Sequence, residues 1–249
     1  MWCEGASCLR GAVATALLLT GCASDPCEPV DTVGALTWIQ LPLRGSIGEA
    51  ALVVGPTGRT VLIDAGNDSH DDDVLDAVRA WTGGTVVDVL VATHYHADHI
   101  GGLSELAGAL SVGTVVSRGR VHLDDANEGE LQGLDALVAA GAVDRPLCVE
   151  AGCSFESTIE LGGPSIQWLA ADARDRDGLL VDGALEENAR SLVGVLGWGG
   201  FSLLFGGDLT GGGKDTPDVE TPLAARAPDW IWPVGGVDVL QANHHGISS

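Results

Sequence analysis

The stretch Thr93-His94-Tyr95-His96-Ala97-Asp98-His99-Ile100-Gly101-Gly102 limits what this chain can fold into more than any other. Six of its residues, 94–99, hold three of the chain's seven histidines and one carboxylate. They follow an apolar run, 86–92, that reads as a buried strand. Neutral imidazole and carboxylate are the ligands that zinc and similar cations prefer. A loop leaving a strand can aim closely spaced side chains at one point, whereas a helix brings together only residues three or four apart. A dense polar loop behind a buried strand is costly unless it binds something. The stretch is therefore read as a metal-binding loop. His94, His96, Asp98 and His99 are its candidate ligands, and the rest of the chain must complete the set.

Two strand pairs point at that completion. Strands over 49–54 and 59–63 flank Gly55-Pro56-Thr57-Gly58, strong turn chemistry, and form a hairpin that ends in Asp64. Strands over 191–196 and 201–205, turning at Gly197-Trp198-Gly199-Gly200, form another that runs into Gly206-Gly207-Asp208. A last strand, 237–241, delivers His244 and His245, one of which is expected as a ligand. Asp208 is a candidate ligand, and Asp64 either orients a histidine or only terminates its strand. His70 and His122 stand alone and receive no role. Elsewhere, Val74, Leu75, Val78 and Trp81 fit a 3.6 period, so 73–81 is read as a helix capped by Asp71 or Asp72. Helices are also expected at 103–110, 130–140 and 223–227, strands at 36–41, 114–116 and 165–169, and an aperiodic charged loop at 172–182.

Charge narrows the partners. The chain carries 35 acidic against 12 basic residues, a net charge of -23. Nucleic-acid binding rests on Lys and Arg neutralising phosphates, so such a surface disfavours it. The 36 glycines and few aromatics suit a loop-rich α/β chain better than a helical bundle. The apolar run 11–20 is too short to span a bilayer. It ends in Leu19-Thr20-Gly21-Cys22, which resembles a bacterial lipoprotein cleavage site with Cys22 as the lipidated residue. Residues 1–21 are then a signal peptide, 22–35 a tether, and 36–249 one domain held outside the cytoplasm on a membrane through its lipid anchor. Cys148 and Cys153 are expected to close a small disulfide loop in an oxidising compartment.

The pattern His94-x-His96-x-Asp98-His99-Ile100-Gly101-Gly102, with Asp64, Asp208 and a terminal histidine in order, resembles the signature of the metallo-β-lactamase-fold hydrolases over about residues 36–249. That resemblance implies an α/β fold, a four-layer αβ/βα sandwich. It implies two divalent metal ions, zinc first and manganese second: one held by His94 and His96, one by Asp98, His99 and His245 or His244, with Asp208 bridging. Asp98 or Asp208 would accept a proton during hydrolysis. A narrower resemblance is to the hydrolase domain of ComEC-type DNA-uptake proteins. It rests on Gly48-Glu49-Ala50, Val61-Leu62-Ile63-Asp64-Ala65-Gly66, Asn188-x-x-Ser191-Leu192-Val193 and Asp238-Val239-Leu240 leading to His244-His245-Gly246. In that branch Glu187-Asn188 stand where the broad family has a third histidine, so Asn188 or water would support the first metal. Such relatives continue past the last histidine with a helix and strand. This chain stops at Ser249, so a truncated product or a missing layer is expected. The implied activity is hydrolysis of a phosphodiester or related ester, or of another small molecule. The rivals are a lactonase or amide hydrolase of the same fold, and a non-catalytic metal-binding lipoprotein.

Overall fold

The computed structural model describes residues 33–123, 128–183, 185–213, 216–226 and 236–246. The leader, Cys22, most of the tether and Ser249 lie outside the described residues. The first half runs β1 (Thr37–Gln40), β2 (Ala51–Val54), β3 (Thr60–Ile63), α1 (Asp71–Thr82), β4 (Val86–Ala92), α2 (Ala97–Ile100), α3 (Leu103–Leu106), β5 (Ser111–Ser117), α4 (Glu128–Ala139) and β6 (Val143–Pro146). The second half runs β7 (Cys148–Val149), β8 (Gly152–Cys153), β9 (Thr158–Glu160), β10 (Ser165–Ala171), β11 (Arg174–Asp175), β12 (Gly178–Leu179), β13 (Val193–Trp198), β14 (Phe201–Phe205), β15 (Gly211–Gly213), β16 (Thr216–Asp218), α5 (Glu220–Arg226) and β17 (Val239–Leu240).

Among the described residues, β1 to β6 form one sheet in chain order, antiparallel from β1 to β3 and parallel from β3 to β6. A second sheet has the order β12-β11-β10-β13-β14-β17, with β9 also on β10 and β17 parallel to β14. Both faces of the first sheet are buried, which is why its strands read as continuous apolar runs rather than alternating ones. Leu52, Leu62 and Leu90 point outward to pack under α1, α3 and α4. Val53, Val61, Ile63, Val89 and Val91 point inward against Ile166, Trp168, Leu196, Leu203 and Phe205 of the second sheet. Leu169, Val193 and Val195 on the far face pack with Leu209, Val219 and Leu223, the last from α5. The layers are thus helix, sheet, sheet, helix: the expected α/β sandwich. Each large side chain buried in the inter-sheet layer contributes roughly 1.5–3 kcal/mol.

Four details differ from expectation. The N-cap of α1 is His70 with no side-chain cap bond, while Asp71, Asp72 and Asp73 sit in the first turn, where they complement the helix dipole. The His70 ring is turned inward instead, its Nδ1 accepting from the Asn67 N–H at 3.2 Å. The helix expected over 103–110 closes at Leu106, two residues before the helix-weakening Gly108. The "aperiodic" 172–182 segment contains the β11–β12 hairpin. The last strand is only Val239–Leu240.

Candidate metal centre

The histidine loop leaves the C-terminal end of β4, and α2 starts at Ala97 with His96 as its N-cap. Ile100 makes an isolated bridge to Gly66, which pins the loop against the end of β3. There Asp64 adopts a left-handed backbone, φ 57°. That turn aims its carboxylate into the loop: Oδ1 accepts from the Thr93 N–H at 2.8 Å, and Oδ2 from the Thr93 hydroxyl at 2.7 Å. His99 Nδ1 lies 2.8 Å from the same Oδ2. A carboxylate accepts only, so His99 carries its proton on Nδ1 and turns Nε2 inward as a lone pair.

The same argument fixes His94. Thr93 has one hydroxyl proton and gives it to Asp64. Its oxygen, 3.2 Å from His94 Nδ1, must therefore accept. His94 is protonated on Nδ1, and its Nε2 is left bare, 3.2 Å from His96 Nδ1. Burial, reinforced by His99 and His96, pushes the His94 pKa well below the usual value, so it is the neutral imidazole that a cation needs.

Asp208 is the hub. It is delivered from the second sheet just past β14, after Gly207 (φ 52°), where a Cβ would come within 2.5 Å of the Thr93 hydroxyl. Only glycine allows the two segments to close this tightly. Around the Asp208 carboxylate stand His99 Nε2 at 2.9 Å, His245 Nε2 at 3.7 Å, and His94 Nε2 and His244 Nε2 each at 3.9 Å. His245 Nε2 also lies 3.1 Å from Asp98 Oδ2. His244 and His245 are consecutive non-glycine residues with positive φ, 51° and 53°. Such backbone costs of order 1–3 kcal/mol per residue and clusters at functional sites.

Two groups of ligand atoms follow, each within 4.8 Å of one another: His94, His96 and Asp208, and Glu49, His99, Asp208 and His245. His245 rather than His244 falls in the second group. His244 instead faces Asn188, whose Nδ2 is 3.4 Å from its Nε2. The donor sets fit cations. His99 Nε2 and Asp208 Oδ1, although 2.9 Å apart, are both buried without a properly directed hydrogen bond. Atoms each about 2.1 Å from one tetrahedral ion stand about 3.4 Å apart, the scale seen here. Asn188 Oδ1 is likewise buried and unpartnered.

Electrostatics agree. Burial alone would lower the His99 pKa, yet Asp64 and Asp208 outweigh it and hold it well above normal, so a cation would take Nε2 in exchange for a proton. The hydrogen bond to Asp98 raises that of His245. Burial would raise Asp98, but His245 and His99 bring it down to about 2. Burial pushes Glu49 up to about 7. The pocket is a concentration of negative charge that calls for positive charge at its centre.

Several parts of this arrangement carried no role in the sequence reading. Thr93 sets two histidine tautomers. Glu187 is no ligand: it lies behind the loop, accepting from the Tyr95 N–H at 2.9 Å and from Arg118 at 2.8 and 2.6 Å. Arg118, fully buried, stacks 4.5 Å over the Tyr95 ring. The Cys148 and Cys153 sulfurs, by contrast paired already in that reading, are bonded at 2.01 Å.

The chain belongs to the metallo-β-lactamase superfamily, whose family model matches residues 44–246. Among curated proteins none matches. Among solved structures it is similar to a soil-metagenome subclass B3 metallo-β-lactamase, MEM-A1, at 16% identity and TM-score 0.51, covering 89% of this chain and 81% of that one. It is similar to the metallo-β-lactamase SMB-1 bound to 2-mercaptoethanesulfonate, at 17% identity and TM-score 0.50, with 89% and 82% covered. A Cronobacter sakazakii metallo-β-lactamase with a HARLDQ motif matches at 16% identity and TM-score 0.50, with 83% and 73% covered. At such identities the likeness speaks to the fold.

Proposed function

We propose that this protein is a hydrolase that requires two divalent cations and cleaves a phosphodiester or related ester, on the ComEC-like branch of the superfamily. The observation that carries the reading is the ring of four histidines around the buried Asp208, with His99 Nε2 and Asp208 Oδ1 left unbonded at its centre. In this reading His94, His96 and Asp208 would hold one cation, with the Asn188 amide, which faces His244, where a third histidine would stand, and His99, His245, Asp98 and Asp208 would hold the other. Such a pair, zinc or manganese, would supply Lewis acidity and lower the pKa of a nearby water toward about 7.

The chain's own residues do the rest. Asp64 and Thr93 lock the rings of His94 and His99 so that no reorganisation is needed during the reaction. The Asp98 side chain is 32% exposed against 3% for Asp208, so Asp98 is the carboxylate that an incoming water can reach. It accepts the proton that this water sheds as the water oxygen bonds to phosphorus and the scissile P–O bond breaks; the leaving oxygen departs as an alcohol, protonated from solvent. Asp208, at 3% exposure, is too enclosed to exchange protons with solvent and would be the ligand common to both cations. Asn188, in place of a third histidine, supports a phosphoryl or other ester substrate over a β-lactam.

A lipoprotein placement outside the cytoplasm, anchored through Cys22, belongs to the same proposal and is supported by the Cys148–Cys153 bond. The net charge of -23 weighs against nucleic acid as the diester. The test is hydrolysis of bis(p-nitrophenyl) phosphate with added Zn²⁺ or Mn²⁺. Wild-type turnover should vanish on chelation and in His96→Ala and Asp208→Ala. Wild-type rates no higher than those of the two variants would overturn it. Metal-dependent cleavage of a lactone or β-lactam, but not the diester, would move the substrate to the carbonyl class.

A further inference from the structure

We propose that Glu49 is an additional ligand of the cation site at His99, Asp208 and His245, aimed there by Gln241. The inference rests on the metal-centre reading above and adds a residue to it.

Glu49 sits just before β2, outside the histidine loop, and is buried. Its backbone is stitched on both sides. The N–H donates to the Asp98 carbonyl at 2.9 Å, and the carbonyl accepts from the Gly66 N–H at 2.9 Å. Its side chain is held as well, since Gln241 Nε2 donates to Oε1. Gln241 is fixed in turn by its own backbone N–H to the Leu204 carbonyl at 2.9 Å, and its side-chain nitrogen is also 3.4 Å from Gln40 Oε1. One carboxylate oxygen is thereby occupied and the other is steered inward.

That second oxygen, Oε2, lies 3.6 Å from His245 Nδ1. The separation is too long for a hydrogen bond, and Nδ1 is the ring nitrogen turned away from Asp208, so the contact leaves Oε2 available to a cation. Among the described residues, Glu49 has no Arg or Lys ion-pair partner; its recorded ion pair is with His245. A buried carboxylate needs compensating positive charge. A cation shared with His99, Asp208 and His245, whose ligand atoms all lie within 4.8 Å of one another with that of Glu49, supplies it.

The consequence is chemical. With Glu49 the site offers two carboxylates, Glu49 and Asp208, to two imidazoles, with the Asp98 carboxylate beside it, 3.1 Å from His245 Nε2. The His94–His96 site has one carboxylate. Carboxylate-rich sites suit harder cations such as Mn²⁺, and imidazole-rich sites suit Zn²⁺. The two positions should therefore differ in preference, and Glu49 should set the difference.

The experiment is a competitive-chelator titration of the full chain with Mn²⁺ and with Zn²⁺, reading stoichiometry and affinity rather than activity. Glu49→Gln should weaken Mn²⁺ at one site by roughly a hundredfold and leave the other site within error. Glu49→Asp should recover part of the loss. Gln241→Leu, which keeps the carboxylate but frees it, should weaken the same site by about tenfold, the scale of lost ligand-orienting contacts. Gln241→Leu also decides the matter if Glu49→Gln fails to fold. Wild-type Mn²⁺ affinity in Glu49→Gln or in Gln241→Leu, while Asp208→Ala loses binding, would overturn the role of Glu49 and leave the metal centre standing. No metal bound by the wild type would overturn the centre itself.

Discussion

At the scale of single residues, the centre is set by hydrogen-bond bookkeeping around Thr93. One hydroxyl proton is given to Asp64, which obliges His94 to donate from Nδ1. Asp64 makes the same demand on His99. Both histidines then face the centre with bare Nε2 atoms. Thr93→Val keeps the shape and the backbone N–H to Asp64 but removes the hydroxyl. We expect it to cost about 1–2 kcal/mol of stability and to weaken the cation at His94 and His96 by about tenfold. Denaturant melts and metal titration measure the two effects; wild-type affinity in this variant would show that His94 is oriented by something else. Thr93 was invisible as a functional residue because a threonine after a strand is ordinary. Its role appears only once Asp64, 29 positions earlier, is seen to reach it.

At the scale of elements, the same device is built twice. Asp88 accepts from the Thr60 N–H and Asp238 from the Ser202 N–H, each at 2.8 Å. Each pair joins the second strand of a hairpin to a parallel strand, β3 to β4 and β14 to β17. Each parallel strand delivers a histidine six residues after its aspartate, His94 and His244. Val87-Asp88-Val89-Leu90 and Val237-Asp238-Val239-Leu240 were the signal in the sequence, short enough to pass as chance. The main hairpins and β4 were legible because long apolar runs survive any tertiary context. The hairpins β11–β12 and β15–β16 were not, since two- and three-residue strands rich in Gly, Arg and Asp show no period. Nor was the Arg118–Glu187 pair, which ties β5, the histidine loop and the 3₁₀ turn Asn188–Arg190 together across 69 positions. Glu187→Gln keeps an acceptor for Tyr95 but leaves the buried Arg118 charge short of its closest partner. The expected loss is about 3–5 kcal/mol in chemical denaturation. A loss under about 1 kcal/mol would mean that Asp172, 3.8 Å from Arg118, suffices to neutralise it.

At the scale of the whole molecule, the centre belongs to neither sheet. The first sheet delivers Asp64 and the four candidate ligands of the histidine loop; the second delivers Asp208 and His245. The inter-sheet core of Val53, Val91, Trp168 and Phe205 brings them together, so docking the sheets and assembling the site are one event. This explains why the loop's candidate ligands stand out within six residues, whereas Glu49 does not: its place depends on Gln241 arriving from the opposite sheet. The central claim is that this junction holds two cations with Asp208 shared between them. The most direct measurement is elemental analysis of the purified full chain, loaded with Zn²⁺ or Mn²⁺ and stripped of loosely bound metal, beside Asp208→Ala. The account predicts two equivalents per wild-type chain and a deficit at both positions in the variant. Wild-type protein that holds no metal, or Asp208→Ala that keeps both ions, would contradict it.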